Sequence, residues 1–174
     1  MSESFDTRLP LARIRDGDRI DLHAGAEECA AIAKRLGLLS LDRLEAHAVL
    51  SREGDKVSAK GRIRAALEQA CVASGEPVPA RIDEPFELVF LPEPAGRPDE
   101  EVELGLHELD IVFHDGAAIE LGAAIADTLS LALDPYPRGP NAEAALQAAG
   151  VLNEEQAGPF AALAALKRDK PDEG

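Results

Sequence analysis

Four cations, Lys56, Lys60, Arg62 and Arg64, fall on one parity of a short run, with Ser58 completing the alternation. At that spacing they line one face of an extended strand, where positive side chains can follow nucleic-acid phosphates without reading bases. Arg43 and Arg81 stand in neighbouring extended runs and can widen the strip. Almost no aromatic residue accompanies these cations, so the base stacking that grips single strands is missing. A solubilising sheet face is the plainer reading.

The remaining reactive residue types form no familiar site. Asp99, Glu100, Glu101 and Glu103 lack the regular spacing and turn glycine of a calcium loop, and read as a solvated acidic run able to meet a basic protein. His107 and His114, with Glu108, Asp110 and Asp115 nearby, are the best metal-ligand group, yet their spacing matches no known arrangement. His47 has no second ligand beside it and is assigned no chemistry. There is no phosphate loop, no dinucleotide fingerprint and no Ser, His and Asp constellation. We therefore expect no enzyme, no catalytic residue, no metal and no cofactor.

Composition narrows the class further. At 174 residues the chain can bury a core without disulfides or metal, and with 3% aromatics that core is aliphatic. A net charge of −15 argues against coating nucleic acid by bulk electrostatics and points to basic protein partners. Cys29 and Cys71 are the only cysteines, which excludes a disulfide framework and fits a reducing compartment. No apolar run is long enough to span a bilayer and no signal-peptide profile opens the chain, so the expected location is the cytoplasm, away from membrane.

Periodicity supplies the elements that hold these residues. Val57, Ala59, Gly61, Ile63, Ala65 and Leu67 alternate with the cations, and Leu44, Ala46, Ala48 and Leu50 alternate with Arg43, Glu45 and His47. Ile82, Phe86, Leu88 and Phe90 share a face of a third run. Strands near 42–51, 56–69 and 80–91 thus form an antiparallel meander. Leu9 to Ile14 and Arg19 to Leu22 read as a small hairpin around Arg15-Asp16-Gly17-Asp18.

Helical spacing of Cys29, Ile32, Ala33 and Leu36, ahead of Gly37, predicts a helix from Gly25 with Cys29 buried. Leu109 to Phe113 and Ala118 to Leu121 read as short strands returning to the sheet around His114-Asp115-Gly116, followed by a helix over 122–133 and a short one capped by Asn141. The fold class is α+β: an antiparallel β-sheet meander with helices packed on one face, an acidic mobile loop and a C-terminal helical tail. The expected divisions are a flexible N-terminus over 1–8, the α+β domain over 9–140 with the mobile loop at 92–106, and a partly flexible helical tail over 141–174. In that tail Phe160 and Leu163 form an apolar edge that needs something to dock on, in the domain or on a partner.

Three segments in order carry a family resemblance: LEQACVASGEPVPARIDEPFELVF, then LDIVFHDGAAIELGAAIADTLSLALDPYPRGP, then GPFAALAALK. From about Leu9 to Lys167 the chain resembles the YceD family of bacterial proteins associated with accumulation of large-subunit ribosomal RNA. The resemblance rests on Cys71, Glu120, Leu121, Pro137, Pro159 and Phe160. It implies a part in synthesis, processing or stability of that RNA and in large-subunit assembly, without established enzymatic activity, and makes a small basic ribosomal protein a natural partner. Other members carry Cys-x-x-Cys where this chain has Cys71-Val72-Ala73-Ser74, and some have a further cysteine beyond the later proline corner, where Gly139 follows Arg138 here. Any zinc the family pattern holds has lost its thiolates in this chain.

Two functions are therefore expected. The first is a factor of ribosome biogenesis that binds a basic ribosomal protein or the pre-ribosomal large subunit, using Asp99, Glu100, Glu101 and Glu103 with Phe160 and Leu163. From Asp99 to Asp134 the chain has ten acidic residues and no Lys or Arg, a field that speeds encounter with a cationic partner. The alternative is direct contact of Lys56, Lys60, Arg62 and Arg64 with precursor large-subunit rRNA.

Overall fold

The computed structural model of the chain describes residues 2–3, 5, 8–94 and 110–151. The strands are β1 (Ser2–Glu3), β2 (Leu9–Pro10), β3 (Arg19–His23), β4 (Ser40–Glu53), β5 (Lys56–Ala70), β6 (Pro77–Pro92), β7 (Asp110–His114) and β8 (Ala118–Ile119). Helices α1 (Ala26–Leu36), α2 (Leu121–Ala132) and α3 (Ala142–Ala148) complete the set, with a 3-10 turn at Leu11–Arg13. The chain divides into two compact units, one of Met1–Gln69 and Pro79–Pro135, the other of Ala70–Val78 and Tyr136–Gly174.

The first unit is organised by the meander β4-β5-β6 inside a six-stranded sheet of order β1-β3-β4-β5-β6-β7. Gly54, at φ +63°, closes the two-residue β4–β5 connection, a conformation that costs glycine nothing, and fixes Glu53 opposite Lys56. That register sends Leu44, Ala46, Ala48 and Leu50 from β4 and Val57, Ala59, Ile63, Ala65 and Leu67 from β5 into the core, where Phe86, Leu88 and Phe90 join them. The two-residue alternation read from the sequence is the pleat of this sheet.

Both longer helices bury a stripe in the same core: Cys29 and Ala33 from α1, Leu121, Ala124, Ile125 and Leu129 from α2. The Gly25 amide donates to Glu28 Oε2 at 2.7 Å at the start of α1, and Gly37 ends it in the left-handed region at φ +67°. Cys29 packs as a small apolar residue, its thiol donating to the Ala24 carbonyl at 3.7 Å.

Three expectations are corrected. Leu9–Ile14 and Arg19–Leu22 are not a hairpin: β2 pairs antiparallel with β8 in a separate two-stranded sheet, whereas β3 pairs with β4. Pro10 has no amide to give a ladder, and Leu11 and Ile14 both bury at the spacing of a helical turn. Of the two short strands around residues 114–116, only β7 returns to the large sheet, parallel to β6. The Asp115 carboxylate takes the Ala117 and Ala118 amides at 2.9 and 3.2 Å, which turns the chain away from a hairpin. Asn141 precedes α3 but its side chain does not cap it; the amide donates to both Glu76 carboxylate oxygens at 3.2 Å instead.

In the second unit the described residues form a cysteine-centred turn beside α3. Cys71 N donates to Glu76 O at 2.8 Å and Gly75 N to Cys71 O at 2.8 Å, with Gly75 at φ +73°. Val72 N reaches Pro137 O at 2.9 Å, joining the turn to the proline corner.

Candidate functional site

The polar face of the large sheet is a lattice of crossed charges set by strand register. Opposite Arg62 and Arg64 on β5 lie His47 and Glu45 on β4, which in turn face Asp21 and His23 on β3. Asp21 Oδ1 lies 2.7 Å from His47 Nδ1 and Glu45 Oε1 lies 3.5 Å from His23 Nδ1, while Arg43 reaches Glu45 Oε2 at 2.5 Å. Asp21, His23, Glu45, His47, Arg62 and Arg64 line a polar depression. The His47 hydrogen bond holds the Asp21 carboxyl below its ordinary range, and the Arg43 bond does the same for Glu45.

On the other side of β5 the cations meet β6. Lys60 Nζ is 2.6 Å from Glu87 Oε1; Arg62 Nε donates to Asp83 Oδ1, and Arg64 Nε approaches the same oxygen at 3.5 Å. Arg62 first, then Arg64, keep the Asp83 carboxyl low. Lys56, half-buried at the start of β5, has no ion pair among the described residues. Asp83 and Glu87 were legible as partners: they stand on the parity opposite Ile82, Phe86 and Leu88, hence on the cations' face.

At the cysteine turn, Cys71 is 3% exposed and its sulfur accepts amide hydrogens from Gly139 at 3.4 Å and Ser74 at 3.5 Å. The Gly139 amide first, and Ser74 next, bring the thiol down to about 6, against the opposing pull of burial. The Ser74 hydroxyl also donates to Glu76 at 3.1 Å. One thiol among backbone amides is not a zinc donor set, and no group of three His, Cys, Asp or Glu among the described residues could hold a metal. Backbone groups occupy both nitrogens of the buried His114: Nε2 lies 2.8 Å from Asp55 O and Nδ1 accepts from Gly116 N at 3.0 Å. His107 and Glu108 lie outside the described residues, as do Asp99, Glu100, Glu101, Glu103, Pro159, Phe160 and Leu163.

Glu120 and Leu121 open α2. Leu121 is fully buried, whereas Glu120 faces a cleft between β7 and α2, its Oε1 forming an ion pair 3.4 Å from Arg8 Nε. Arg8 also binds Asp115 Oδ2 at 2.5 Å, a partnership across 107 residues that no local pattern announces.

The family model described as "Large ribosomal RNA subunit accumulation protein YceD" matches residues 59–167. The chain belongs to that family. The YceD match begins on β5, inside the run of alternating cations, and takes in the cysteine turn, the β7–α2 cleft and the C-terminal segment. Its description ties this chain to accumulation of large-subunit ribosomal RNA and names no reaction. No curated protein and no solved structure matches the chain. Among the described residues no helix is long and apolar enough to cross a membrane.

Proposed function

We propose that this YceD protein is a non-enzymatic factor of ribosome biogenesis that acts by binding a basic protein of the large subunit. The observation that carries the reading is the neutralisation of the β5 strip. Lys60, Arg62 and Arg64 are matched by Glu87 and Asp83 on the neighbouring strand β6. A strip already paired releases few counterions on meeting phosphate and so gains little from it. Meanwhile Asp110, Asp115, Glu120, Asp127 and Asp134 succeed one another without a Lys or Arg between them, which favours a cationic partner.

The test is retention of ribosomal proteins from dissociated large subunits on the immobilised chain. Recovery of a small basic protein at low salt and its loss at high salt is expected. Recovery of none overturns the reading. A second reading, direct contact with precursor rRNA, is supported by Lys56, which lacks an ion pair among the described residues. It requires that replacing Lys60, Arg62 and Arg64 with Glu abolish retention on that RNA.

A further inference from the structure

We propose that the cleft between β7 and α2 receives an arginine side chain of the basic partner, and that Arg8 is a built-in competitor for the same place. This rests on the reading that the partner is a basic protein.

The cleft has the two parts such a side chain needs. Val112, Phe113, Ala123 and Ala124 supply apolar wall, and Asp115, Glu120 and Asp127 supply carboxylates at its rim. Phe113 is 52% exposed on the edge strand, an open aromatic face of the kind on which a guanidinium and its methylene stem pack. The stretch that builds the cleft, from Asp110 to Asp134, holds neither Lys nor Arg. Among the described residues the cations that meet its carboxylates come from elsewhere in the unit: Arg35, 3.1 Å from Asp127, and Arg8, which bridges Asp115 and Glu120.

Arg8 shows that a guanidinium fits between these two carboxylates. It also holds them loosely, since its side chain is 54% exposed and that of Glu120 64%, so exchange for an incoming arginine buries no orphaned charge. A partner presenting several cations can engage Asp115, Glu120 and Asp127 together, of which Arg8 reaches only the first two. The chain's own arginine is thus a weak placeholder that raises the threshold for binding.

The experiment is fluorescence anisotropy of a labelled nona-arginine peptide with the full chain at low salt, each variant first checked for an unchanged melting transition. Arg8→Ala should tighten binding about threefold, while the charge-matched control Arg13→Ala should leave it unchanged, as exposed ion pairs are worth up to about fivefold. Glu120→Gln and Phe113→Ser should each weaken binding about threefold, against no change for Glu84→Gln on β6. Equal affinity of Arg8→Ala and Arg13→Ala overturns the competitor role. Equal affinity of wild type, Glu120→Gln and Phe113→Ser overturns the cleft, and if ribosomal proteins are still retained by all three the broader reading stands without it. Loss of retention on a large-subunit rRNA fragment in Arg8→Ala would make Arg8 a phosphate contact and contradict the proposal. Should Arg8→Ala melt early, Arg8→Gln supplies the same comparison.

Discussion

Arg62 and Asp83 are joined twice across β5 and β6: Arg62 Nε donates to Asp83 Oδ1, and Arg62 Nη2 donates to the carbonyl oxygen of the same residue at 3.3 Å. Phosphate must compete with this double attachment for the guanidinium. Asp83→Asn together with Glu87→Gln should therefore raise RNA retention above that of the wild-type chain, and the gain should fall steeply with salt. Filter binding of an rRNA fragment checks it; equal retention by both chains would show that the ion pairs do not mask the strip.

Acid titration gives a second prediction. The amides of Ala117 and Ala118 and the Arg8 guanidinium hold the Asp115 carboxyl at about 2, against an ordinary 3.8. A folded value below the unfolded one means stability that is complete above pH 4 and is lost as pH falls towards 2. The carboxyl carbon shift of Asp115 should show its midpoint near 2. A midpoint near 4 would mean the turn that sends β7 towards α2 is not held by this side chain.

The thiols should separate. Cys71, at about 6, is ionised at pH 8, whereas burial first and the nearby Glu28 next push Cys29 above its ordinary 9.0. The sign for Cys71 is that of a depressed acid: its contribution to stability is full above pH 9, declines as pH falls and is gone below 6. Thiolate absorbance should rise in two steps, and Cys71→Ser should remove the lower one alone. A single step near 9 would contradict the amide-to-sulfur bonds.

Two glycines test the packing. A Cβ at Gly61 would lie 1.9 Å from His47 O, and one at Gly122 would lie 1.9 Å from Phe5 O, whereas at Gly139 the nearest atom is 3.5 Å away. Gly61→Ala and Gly122→Ala should each cost about 1–3 kcal/mol in urea unfolding, the range for overpacking a fixed site. Gly139→Ala should be mild and keep its amide on Cys71.

What was legible in the sequence was what local periodicity fixes. The parity of Val57 to Leu67 reports the buried face of β5, and Cys29, Ala33 and Gly37 report both the stripe and the end of α1. Pairing between distant short strands was not legible. β2 and β8 share two residue pairs and are separated by more than a hundred residues, so no turn chemistry links them. The same holds for Arg8 and Asp115. The cationic strip follows from alternation within β5 alone, whereas its neutralisation follows only when the parities of β5 and β6 are taken together.

The central claim is most directly tested by crosslinking the full chain in cells and identifying the attached protein and RNA together. The account predicts a small basic large-subunit protein as the principal adduct, with large-subunit rRNA recovered through it and lost after protease treatment of the non-covalent complexes. Direct chain-to-rRNA crosslinks at Lys60, Arg62 or Arg64, with no ribosomal protein attached, would contradict it.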